Sequence, residues 1–361
     1  MTTPIVIQGI GALGRLFAGV ALKDPRIRLL GAVDTDPAKA GRSIGEVIGQ
    51  PAGDRLPVVA DLDQLLRHLP EPPAVLVHMT ESRPDRIAGP IIEATRRGLN
   101  VVSAAESMFY PQLRYPVHAA QIDVAARENG VTVTGTGINP GFVFDQLVLD
   151  VAAATTGLRH IALRRSVEVS DTGPGDVEHV GFGLPEAEFR QRVATGTIEG
   201  HMGLPESFVL LAEYLDLPID RITQAWEPVT DPRPVPSAIG EIPPGHVVGI
   251  VQHATAYLGE REVMTARLAM YYAAGREEQA DEIVIDAAHP LRVRTEPSAV
   301  SLLGAANVLA NAVPAVSQAA PGLACVLDLP IARLRRGGLR ISHSAADSAP
   351  GEIRLNAGAP S

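Results

Sequence analysis

Lysine and cysteine are scarce in this sequence, and each scarcity excludes a group of mechanisms. Of the 31 lysine and arginine residues, only Lys23 and Lys39 are lysines. Because both lie near the N-terminus, a catalytic lysine in the second half of the chain is excluded, and arginine cannot replace it as a proton donor. The single cysteine, Cys325, excludes an internal disulfide and a cysteine-rich metal site. Its apolar neighbours predict a buried, inert thiol.

Excess positive charge and long apolar runs are also absent, which argues against two kinds of partner. The net charge of −10 and the isoelectric point near 5.5 disfavour nucleic acid and anionic membranes. No apolar run reaches the ~18 residues of a membrane span, and the chain begins without a basic, then apolar leader. We therefore expect a cytoplasmic protein that binds no nucleic acid and no membrane. The length of 361 residues, 46% of them hydrophobic, predicts about two domains with sizeable cores.

A glycine-rich motif follows the first apolar run of the chain. The run 5–7 predicts a buried strand, and an apolar-periodic helix is predicted directly after the motif. Between them, Gly9, Gly11 and Gly14 have the spacing G-x-G-x-x-G. These glycines allow a tight turn, the approach of a pyrophosphate and close packing of the helix, whose N-terminus favours phosphates. We predict a dinucleotide site, with an ordinary glycine turn as the alternative. The further cofactor residues that the motif predicts are Ala12, Leu13 and Arg15.

An acidic residue ends the second predicted strand. Asp34 lies 20 residues after Gly14, close to the position at which an acid binds the adenosine ribose hydroxyls. A carboxylate at this position repels a 2′-phosphate, and Asp36 adds to the repulsion, so NAD is favoured over NADP. Arg15 and Arg42 can offset the repulsion, which leaves NADP open. The alternative role of Asp34 is to cap a loop.

Strands and helices alternate over about the first 135 residues. The predicted strands are at 28–34, 58–59, 74–80, 100–103 and 131–135, and the predicted helices at 62–69, 90–97 and 117–129. This alternation predicts an α/β fold with a Rossmann-type doubly wound parallel sheet. In such sheets ligands bind beyond the carboxyl ends of the strands. We therefore expect Met79 and Thr80, at the end of the run 74–80, to contact the cofactor.

A glutamate follows another strand end. Glu106 lies just past the strand 100–103, and its neighbours Ala104, Ala105 and Ser107 are small enough to leave room for a ligand. A carboxylate beside a nicotinamide ring can act as a general base or stabilise a cationic imine. The alternative is an ordinary acid at a helix N-terminus. We take Glu106 as the catalytic candidate.

Glycine, proline and asparagine are concentrated in the loop after the strand 131–135. The segment 135–142 reads Gly-Thr-Gly-Ile-Asn-Pro-Gly-Phe and predicts a rigid, shaped loop. Asn139 can donate and accept hydrogen bonds, which suits the carboxamide of nicotinamide. The alternative is a domain-crossing turn that needs glycine and proline only for its path. Phe142 and Phe144 can line an apolar substrate pocket, with core packing as the equal alternative.

The pattern changes after residue 141, where alternating apolar and polar residues predict a second domain of α+β type. Its predicted strands are at 160–169 and 281–287, with a long antiparallel hairpin at 246–257 and 262–273. Helices are predicted at 186–193 and 205–215, and proline-rich linkers at 227–236 and 241–245. A further helix is predicted at 298–319, after this domain. We expect this domain to be inserted before a returning C-terminal helix and to form a homodimer. The predicted limits are 1–141 for the dinucleotide-binding domain, 142–297 for the substrate and dimerisation domain, 298–345 for the return and 346–361 for a tail.

Three histidines are candidates for the substrate cleft. His179 lies in the glycine-rich loop 170–183, His201 precedes a predicted helix, and His253 lies in the predicted hairpin. Each has a structural role as its alternative. No histidine pair shows metal-ligand spacing such as His-x-x-x-His, so we expect no metal.

Several of these motifs together resemble the family of 2,4-diaminopentanoate dehydrogenases and native amine dehydrogenases, relatives of dihydrodipicolinate reductase. The segments that carry the resemblance are the loop 9–14, the turn 104–106, the loop 135–142 and the C-terminal segments 305–316 and 321–323. The resemblance implies an NAD(P)-dependent amine dehydrogenase that combines a ketone or aldehyde with ammonia, or deaminates an amine oxidatively. It also implies that Glu106 assists imine formation and reduction. The His-His-x-x-Lys motif of dihydrodipicolinate reductase has no counterpart here, which argues against reduction of that cyclic substrate.

Two other functions remain open. A dehydrogenase specific for 2,4-diaminopentanoate or another amino acid needs a cation for the substrate carboxylate, and Arg164 or Arg165 can supply it. A non-catalytic sensor is expected to bind the dinucleotide but to oxidise no reduced cofactor with ammonia and a carbonyl compound.

Overall fold

A seven-stranded parallel sheet organises the N-terminal half of the protein. We describe a computed structural model that covers residues 2–170, 180–198, 200–237, 240–272, 278–330, 341–343 and 355–357. The strands are β1 (Thr3–Gln8), β2 (Ile27–Val33), β3 (Val58–Val59), β4 (Val75–His78), β5 (Asn100–Ser103), β6 (Thr132–Gly135) and β15 (Gly322–Leu323). Their spatial order is β3-β2-β1-β4-β5-β6-β15, and every neighbouring pair is parallel. The predicted Rossmann-type sheet is confirmed.

The central strands are buried on both faces, which is why they read as continuous apolar runs in the sequence. Every residue of β4 is buried, and Val6, Leu76 and Val101 have no exposed surface. Helices pack on both faces of the sheet, and an apolar cluster lies between the helices and the sheet on each face. The α-helices of the described residues are α1 (Ala12–Ala21), α2 (Ile44–Ile48), α3 (Leu62–His68), α4 (Pro84–Arg96), α5 (Pro111–Arg114), α6 (Pro116–Glu128), α7 (Leu147–Ala152), α8 (Glu186–Ala194), α9 (Leu204–Tyr214) and α10 (Ser301–Val316).

The C-terminal helix α10 returns to the first sheet, as the sequence predicts. Its buried face is built from alanine and other apolar residues, including Ala306, Leu309 and Ala310, and it shares a core cluster with Phe17 of α1. Small side chains allow the two helices to approach closely. The chain then adds β15 beside β6, so residues from both ends of the sequence complete the sheet.

A six-stranded mixed sheet forms the second part of the fold. Its strands are β7 (His160–Glu168), β8 (Arg221–Thr230), β11 (Val247–Leu258), β12 (Arg261–Tyr271), β13 (Ala280–Asp286) and β14 (Leu291–Thr295), in the order β14-β13-β7-β12-β11-β8. The long hairpin of β11 and β12 is antiparallel, as predicted, and β7 is parallel to β12. One face of the sheet carries the large core cluster, which also contains Phe189 of α8 and Phe208 of α9. The predicted combination of a Rossmann-type sheet with an α+β unit is thus present, while the domain limits stay a prediction.

Some predicted boundaries were wrong. Helix α4 begins at Pro84 rather than Pro90, and Pro90 lies inside the helix. Burial of Ile87 and Ile91 against the sheet outweighs the hydrogen bond that a proline removes. The predicted linkers at 227–236 and 241–245 contain extended structure, because β8 runs to Thr230 and the short strands β9 (Val235–Ser237) and β10 (Gly240–Ile242) pair with each other. In the C-terminal tail, β16 (Ile341–His343) and β17 (Leu355–Ala357) pair antiparallel.

Candidate active site

The glycine loop between β1 and α1 fits its surroundings only without side chains at two positions. Gly9 has φ +96°, and a Cβ there would lie 2.5 Å from the Met79 carbonyl oxygen. A Cβ at Gly14 would lie 2.2 Å from the carbonyl oxygen of Gly9. The Gly9 N–H donates to the Val33 carbonyl at 2.8 Å, which ties the turn to the end of β2. The two glycines therefore permit the tight turn and the close approach of α1.

The remaining glycine of the motif, Gly11, faces open space. A Cβ at Gly11 would meet no atom of the described residues within 4 Å, and Gly11 is exposed. It is the N-terminal cap of α1, which begins at Ala12 without a hydrogen bond from a capping side chain. An open space at an uncapped helix N-terminus matches what a pyrophosphate needs. The residues of this chain thus fit the phosphates of a dinucleotide.

Asp34, at the carboxyl end of β2, is tied to the glycine loop and to a lysine. Its Oδ2 accepts the Ile10 N–H at 2.8 Å and lies 3.0 Å from Lys39 Nζ, while its Oδ1 accepts the Asp36 N–H at 2.9 Å. Burial alone raises the pKa of the Asp34 carboxyl, but the two backbone N–H groups and Lys39 outweigh it and lower the pKa. Asp34 is therefore held ionised, and its carboxylate supports the loop.

The cations around Asp34 are arranged differently from the sequence-based expectation. Arg15 donates to the Val47 carbonyl and Arg42 donates to the Glu46 carbonyl at 3.1 Å, so both guanidinium groups reach α2. Lys39 is the cation that contacts Asp34, and sequence reasoning missed it. The sequence contained one signal for this contact, because Lys39 follows Asp34 by only five residues and is one of two lysines in the chain.

Met79 and Thr80 continue β4 beside the glycine loop, as predicted from their position. Met79 N–H donates to the Gln8 carbonyl at 2.8 Å, and the Thr80 Cγ2 lies 3.1 Å from where a Gly9 Cβ would be. Thr80 Oγ1 also forms a 2.7 Å hydrogen bond with His78 Nε2. Burial lowers the pKa of His78 to about 4, and its Nδ1 lies 2.9 Å from Ser103 Oγ. His78 is thus a neutral structural histidine under this edge of the sheet.

Asn139 lies in the loop after β6 and is buried. Neither Asn139 Oδ1 nor Nδ2 has a hydrogen-bond partner among the residues that the structure describes. A buried amide without partners is costly, unless a ligand supplies them. The loop is fixed on two sides, because Thr136 N–H donates to the Ser103 carbonyl at 2.9 Å and Pro140 packs on Gly203. The fixed amide has the donor and the acceptor that a carboxamide requires.

Glu106 begins a short 3₁₀ turn after β5, and its carboxylate reaches the second part of the fold. The Met202 N–H donates to Glu106 Oε2 at 3.1 Å, and His201 Nε2 lies 3.5 Å from Glu106 Oε1. The backbone N–H of Glu106 donates to Ser82 Oγ at 3.2 Å. The Glu106 side chain is 23% exposed. The structure therefore brings two of the predicted site residues, Glu106 and His201, together.

Other predicted pocket residues lie elsewhere. Phe144 has no exposed surface and belongs to the large core cluster, so the prediction that it lines a pocket was wrong. Phe142 is half-buried and packs against that cluster. His253 projects from the face of β11 opposite to the main core, and its Nε2 lies 3.7 Å from Glu227 Oε1. His179 lies outside the described residues.

Of the two arginines proposed to bind a substrate carboxylate, Arg165 is engaged within the core of the fold. Arg165 is buried, forms a 2.6 Å ion pair with Asp281 and donates to the Ala299 carbonyl at 2.6 Å. These bonds explain how a guanidinium is tolerated in the core. Arg164 is the next residue on the strand, so it projects from the opposite face, and it is exposed. Because the Arg165 guanidinium is already paired with Asp281, it does not serve as the cation for a substrate carboxylate.

The thiol of Cys325 adds little to the chemistry of the site. Burial raises the pKa of Cys325 to about 11, which keeps the thiol protonated at neutral pH. Among the described residues, no group of three or more histidine, cysteine or acidic side chains is arranged to hold a metal ion. Within the same part of the chain, no helix is both long and apolar enough to cross a membrane.

Comparisons with known proteins show the family of this chain. The family model described as the 2,4-diaminopentanoate dehydrogenase C-terminal domain matches residues 142–344. A 2,4-diaminopentanoate dehydrogenase from Acetoanaerobium sticklandii is 30% identical over 340 residues, which cover 93% of this chain and 96% of that protein. The chain belongs to the 2,4-diaminopentanoate dehydrogenase family. The resemblance predicted from the sequence is thereby confirmed.

Two further relatives link this family to amine dehydrogenases. An amine dehydrogenase from Streptomyces virginiae is 31% identical over 190 residues, half of this chain and 51% of that protein. The solved structure of an amine dehydrogenase from Mycobacterium smegmatis superposes with a TM-score of 0.84 at 23% identity, over 93% of this chain and 98% of that one. This structural likeness establishes the shared fold.

Proposed function

We propose that this protein is an NAD(P)-dependent amine dehydrogenase, an oxidoreductase acting on the CH–NH2 group. The observation that carries the proposal is the Glu106 carboxylate, which follows β5 at the same carboxyl edge of the parallel sheet as the glycine loop and contacts the second domain at Met202. Full-length similarity to a 2,4-diaminopentanoate dehydrogenase supports the reaction class. The overall reaction joins a ketone or aldehyde, ammonia, reduced cofactor and a proton, and yields an amine, oxidised cofactor and water.

The proposed cofactor is a nicotinamide dinucleotide. The open space at Gly11 and the uncapped N-terminus of α1 suit its pyrophosphate. The amide of Asn139, which has no hydrogen-bond partner among the described residues, suits its carboxamide. When bound, this group supplies the hydride that reduces the substrate carbon. Asp34 supports a preference for NAD because its carboxylate repels a 2′-phosphate, while Lys39 reduces this repulsion.

Glu106 performs the proton transfers in this proposal. It accepts a proton from the ammonia nitrogen as that nitrogen bonds to the carbonyl carbon, and passes it to the carbonyl oxygen, which becomes a hydroxyl group. Glu106 then passes a second proton, taken up from solvent, to this hydroxyl group, which leaves as water. Its negative charge then stabilises the protonated imine, whose carbon becomes the reduced centre. The Met202 N–H fixes one carboxylate oxygen, so the other oxygen has a defined direction.

Oxidation of 2,4-diaminopentanoate or another amino acid is the second candidate. The relative with that name, which matches along nearly its whole length, favours it. The pairing of Arg165 with Asp281 counts against Arg165 as the cation for the substrate carboxylate. A panel of amines with and without a carboxylate, assayed with both cofactors, separates the two candidates. A sensor without turnover is expected to bind the dinucleotide and to be inactive across the whole panel.

The test of the proposed function is ammonia-dependent oxidation of reduced cofactor, followed at the absorbance of reduced nicotinamide. We expect Glu106→Gln to lower kcat by about 10²–10⁴-fold, the usual contribution of a positioned general acid–base group. Glu128→Gln, at the exposed end of α6, is the matched control and should retain normal turnover. Near-normal kcat in Glu106→Gln, with a wild-type enzyme that is active, would remove Glu106 from the mechanism.

We further propose a homodimer formed through the six-stranded sheet. The second part of the fold and its long antiparallel hairpin of β11 and β12 support this assembly. Light scattering after size-exclusion chromatography tests it, and a monomer at micromolar concentration would contradict it. A cytoplasmic location stays a prediction from the sequence.

A further inference from the structure

The backbone of His201 is paired with a side chain from the middle of β11. The His201 N–H donates to Gln252 Oε1 at 3.0 Å, and Gln252 Nε2 donates to the His201 carbonyl at 3.0 Å. The Gln252 amide therefore bonds to His201 as a neighbouring strand would. This reciprocal pair fixes the position and the direction of the two peptide groups that flank the His201 Cα.

Gln252 is itself held in one orientation. It has no exposed surface, and its Nε2 also donates to Gln224 Oε1 on β8 at 3.1 Å. Both donors and the acceptor of the amide are used, and a fully satisfied buried polar network is rigid. Sequence reasoning did not single out Gln252, because it reads as one polar position in an alternating strand.

The segment on which Gln252 acts has little room to shift. Gly200 has φ +68°, and a Cβ there would lie 2.2 Å from Trp226 Nε1. Two residues later the Met202 N–H donates to Glu106 Oε2, and His201 Nε2 lies 3.5 Å from Glu106 Oε1. Residues 200–202 thus lie against the six-stranded sheet on one side and contact the Glu106 carboxylate on the other.

We propose that Gln252 is a positioning residue for Glu106, acting through the backbone of His201 and Met202. This inference rests on the proposed function, because it assumes that Glu106 performs the proton transfers. Gln252 touches neither Glu106 nor the glycine loop, so its effect is confined to orientation. A displacement of a reacting group by about 1 Å lowers turnover by about 10²-fold. Loss of the Gln252 pair therefore lowers kcat and leaves cofactor binding intact.

Two substitutions and one control test this role. Gln252→Leu removes all three hydrogen bonds at similar volume. Gln252→Glu keeps the shape and the acceptor for the His201 N–H, and regains a donor only when its carboxyl is protonated. Thr255→Val lies on the same strand with its side chain on the opposite face, and serves as the control.

Three measurements are made on each full-length variant. The first is kcat and KM across a pH series in which circular dichroism shows a folded protein. The second is the Kd of NADH from fluorescence. The third is amide hydrogen exchange of residues 200–203, compared with exchange of the β11–β12 hairpin.

We expect Gln252→Leu to lower kcat by about 10–100-fold, to leave the NADH Kd within about twofold and to speed exchange at residues 200–203 selectively. For Gln252→Glu, kcat relative to wild type should rise as the pH falls and its carboxyl becomes protonated. A kcat within twofold of wild type in Gln252→Leu overturns the proposal. A lower kcat with unchanged exchange at residues 200–203 overturns it too, because the loss would then arise elsewhere. Absence of turnover in the wild-type enzyme instead refutes the proposed function, while the exchange data still decide whether Gln252 holds the segment.

Discussion

The Asp34 carboxylate accepts the backbone N–H of Ile10 at 2.8 Å, so the acid at the end of β2 supports the turn that faces the phosphates. Lys39 Nζ lies 3.0 Å from the same carboxylate oxygen and 3.4 Å from Asp36. The ribose end of the site therefore carries a lysine between two acids. The preference for NADH or NADPH therefore depends on the balance between the positive charge of Lys39 and the negative charges of Asp34 and Asp36.

Removal of Lys39 should shift that balance toward NADH. In Lys39→Ala the two carboxylates lose their neutralising partner and repel a 2′-phosphate more strongly. We expect the ratio of kcat/KM for NADPH to that for NADH to fall about five- to tenfold, the range for a partly exposed ion pair. Lys23→Ala, at the other lysine, is the control and should leave the ratio unchanged. A ratio that rises in Lys39→Ala contradicts the role of this lysine.

The glycine loop allows a contrast between two similar substitutions. A Cβ at Gly14 would lie 2.2 Å from the Gly9 carbonyl oxygen, whereas a Cβ at Gly11 would meet no described atom within 4 Å. Gly14→Ala should therefore lower the free energy of unfolding by about 1–3 kcal/mol. Gly11→Ala should keep the thermal midpoint and weaken NADH binding at least about tenfold, because it fills the space reserved for the pyrophosphate. Thermal unfolding and fluorescence titration measure the two effects, and equal destabilisation by both substitutions would refute this distinction.

Asn139 offers a test of the nicotinamide end of the site. Its amide is buried without partners among the described residues, so Asn139→Ala removes two unsatisfied polar atoms from the free protein. We expect the thermal midpoint without cofactor to stay equal or rise, since an unsatisfied buried group costs about 1–3 kcal/mol. The increase in midpoint caused by NADH should shrink in the same variant. An unchanged increase would mean that Asn139 does not contact the cofactor.

The first half of the fold is predictable because its signals are local. The strand 100–103 and the glycine motif are each defined by a few consecutive residues, and β5 has the predicted bounds. The contact between Glu106 and Met202 joins residues 96 positions apart, and no local pattern encodes it. Phe144 was misassigned for a related reason, because an aromatic residue after a loop suits a pocket and a core equally well. Residues such as Gln252 become informative only when their partners are known.

Acid should destabilise the protein through His78. Burial lowers the pKa of this imidazole from 6.5 to about 4, so between these values the unfolded chain binds more protons than the folded chain. The destabilisation that His78 causes should therefore be absent above pH 6.5 and grow to about 3 kcal/mol as the pH approaches 4. Urea unfolding of wild type and His78→Gln at several pH values isolates this contribution as the difference between the slopes of the two proteins. His68→Gln, at the exposed end of α3, should retain the wild-type slope, and an unchanged slope in His78→Gln would exclude the histidine as its source.

Asp145 should affect stability with the opposite sign. This residue has no exposed surface, accepts the Gly141 N–H at 2.7 Å, and burial raises the pKa of its carboxyl from 3.8 to about 6. Between these values the folded chain binds more protons than the unfolded chain, so this group lowers the free energy of unfolding as the pH rises through 6. The cost is fully present at neutral pH and amounts to roughly 3 kcal/mol.

Asp145→Asn keeps an acceptor for the Gly141 N–H and removes the buried charge. We therefore expect the variant to be more stable than wild type at pH 7.5, by up to about 3 kcal/mol, and the two proteins to converge near pH 4. Asp150→Asn, at an exposed position of α7, should match wild type at both pH values. Urea unfolding measures the difference. If Asp145→Asn is less stable at pH 7.5, then the ionised carboxylate is stabilised inside the fold, and Asp145 holds the loop of Asn139 as an anion through the Gly141 N–H.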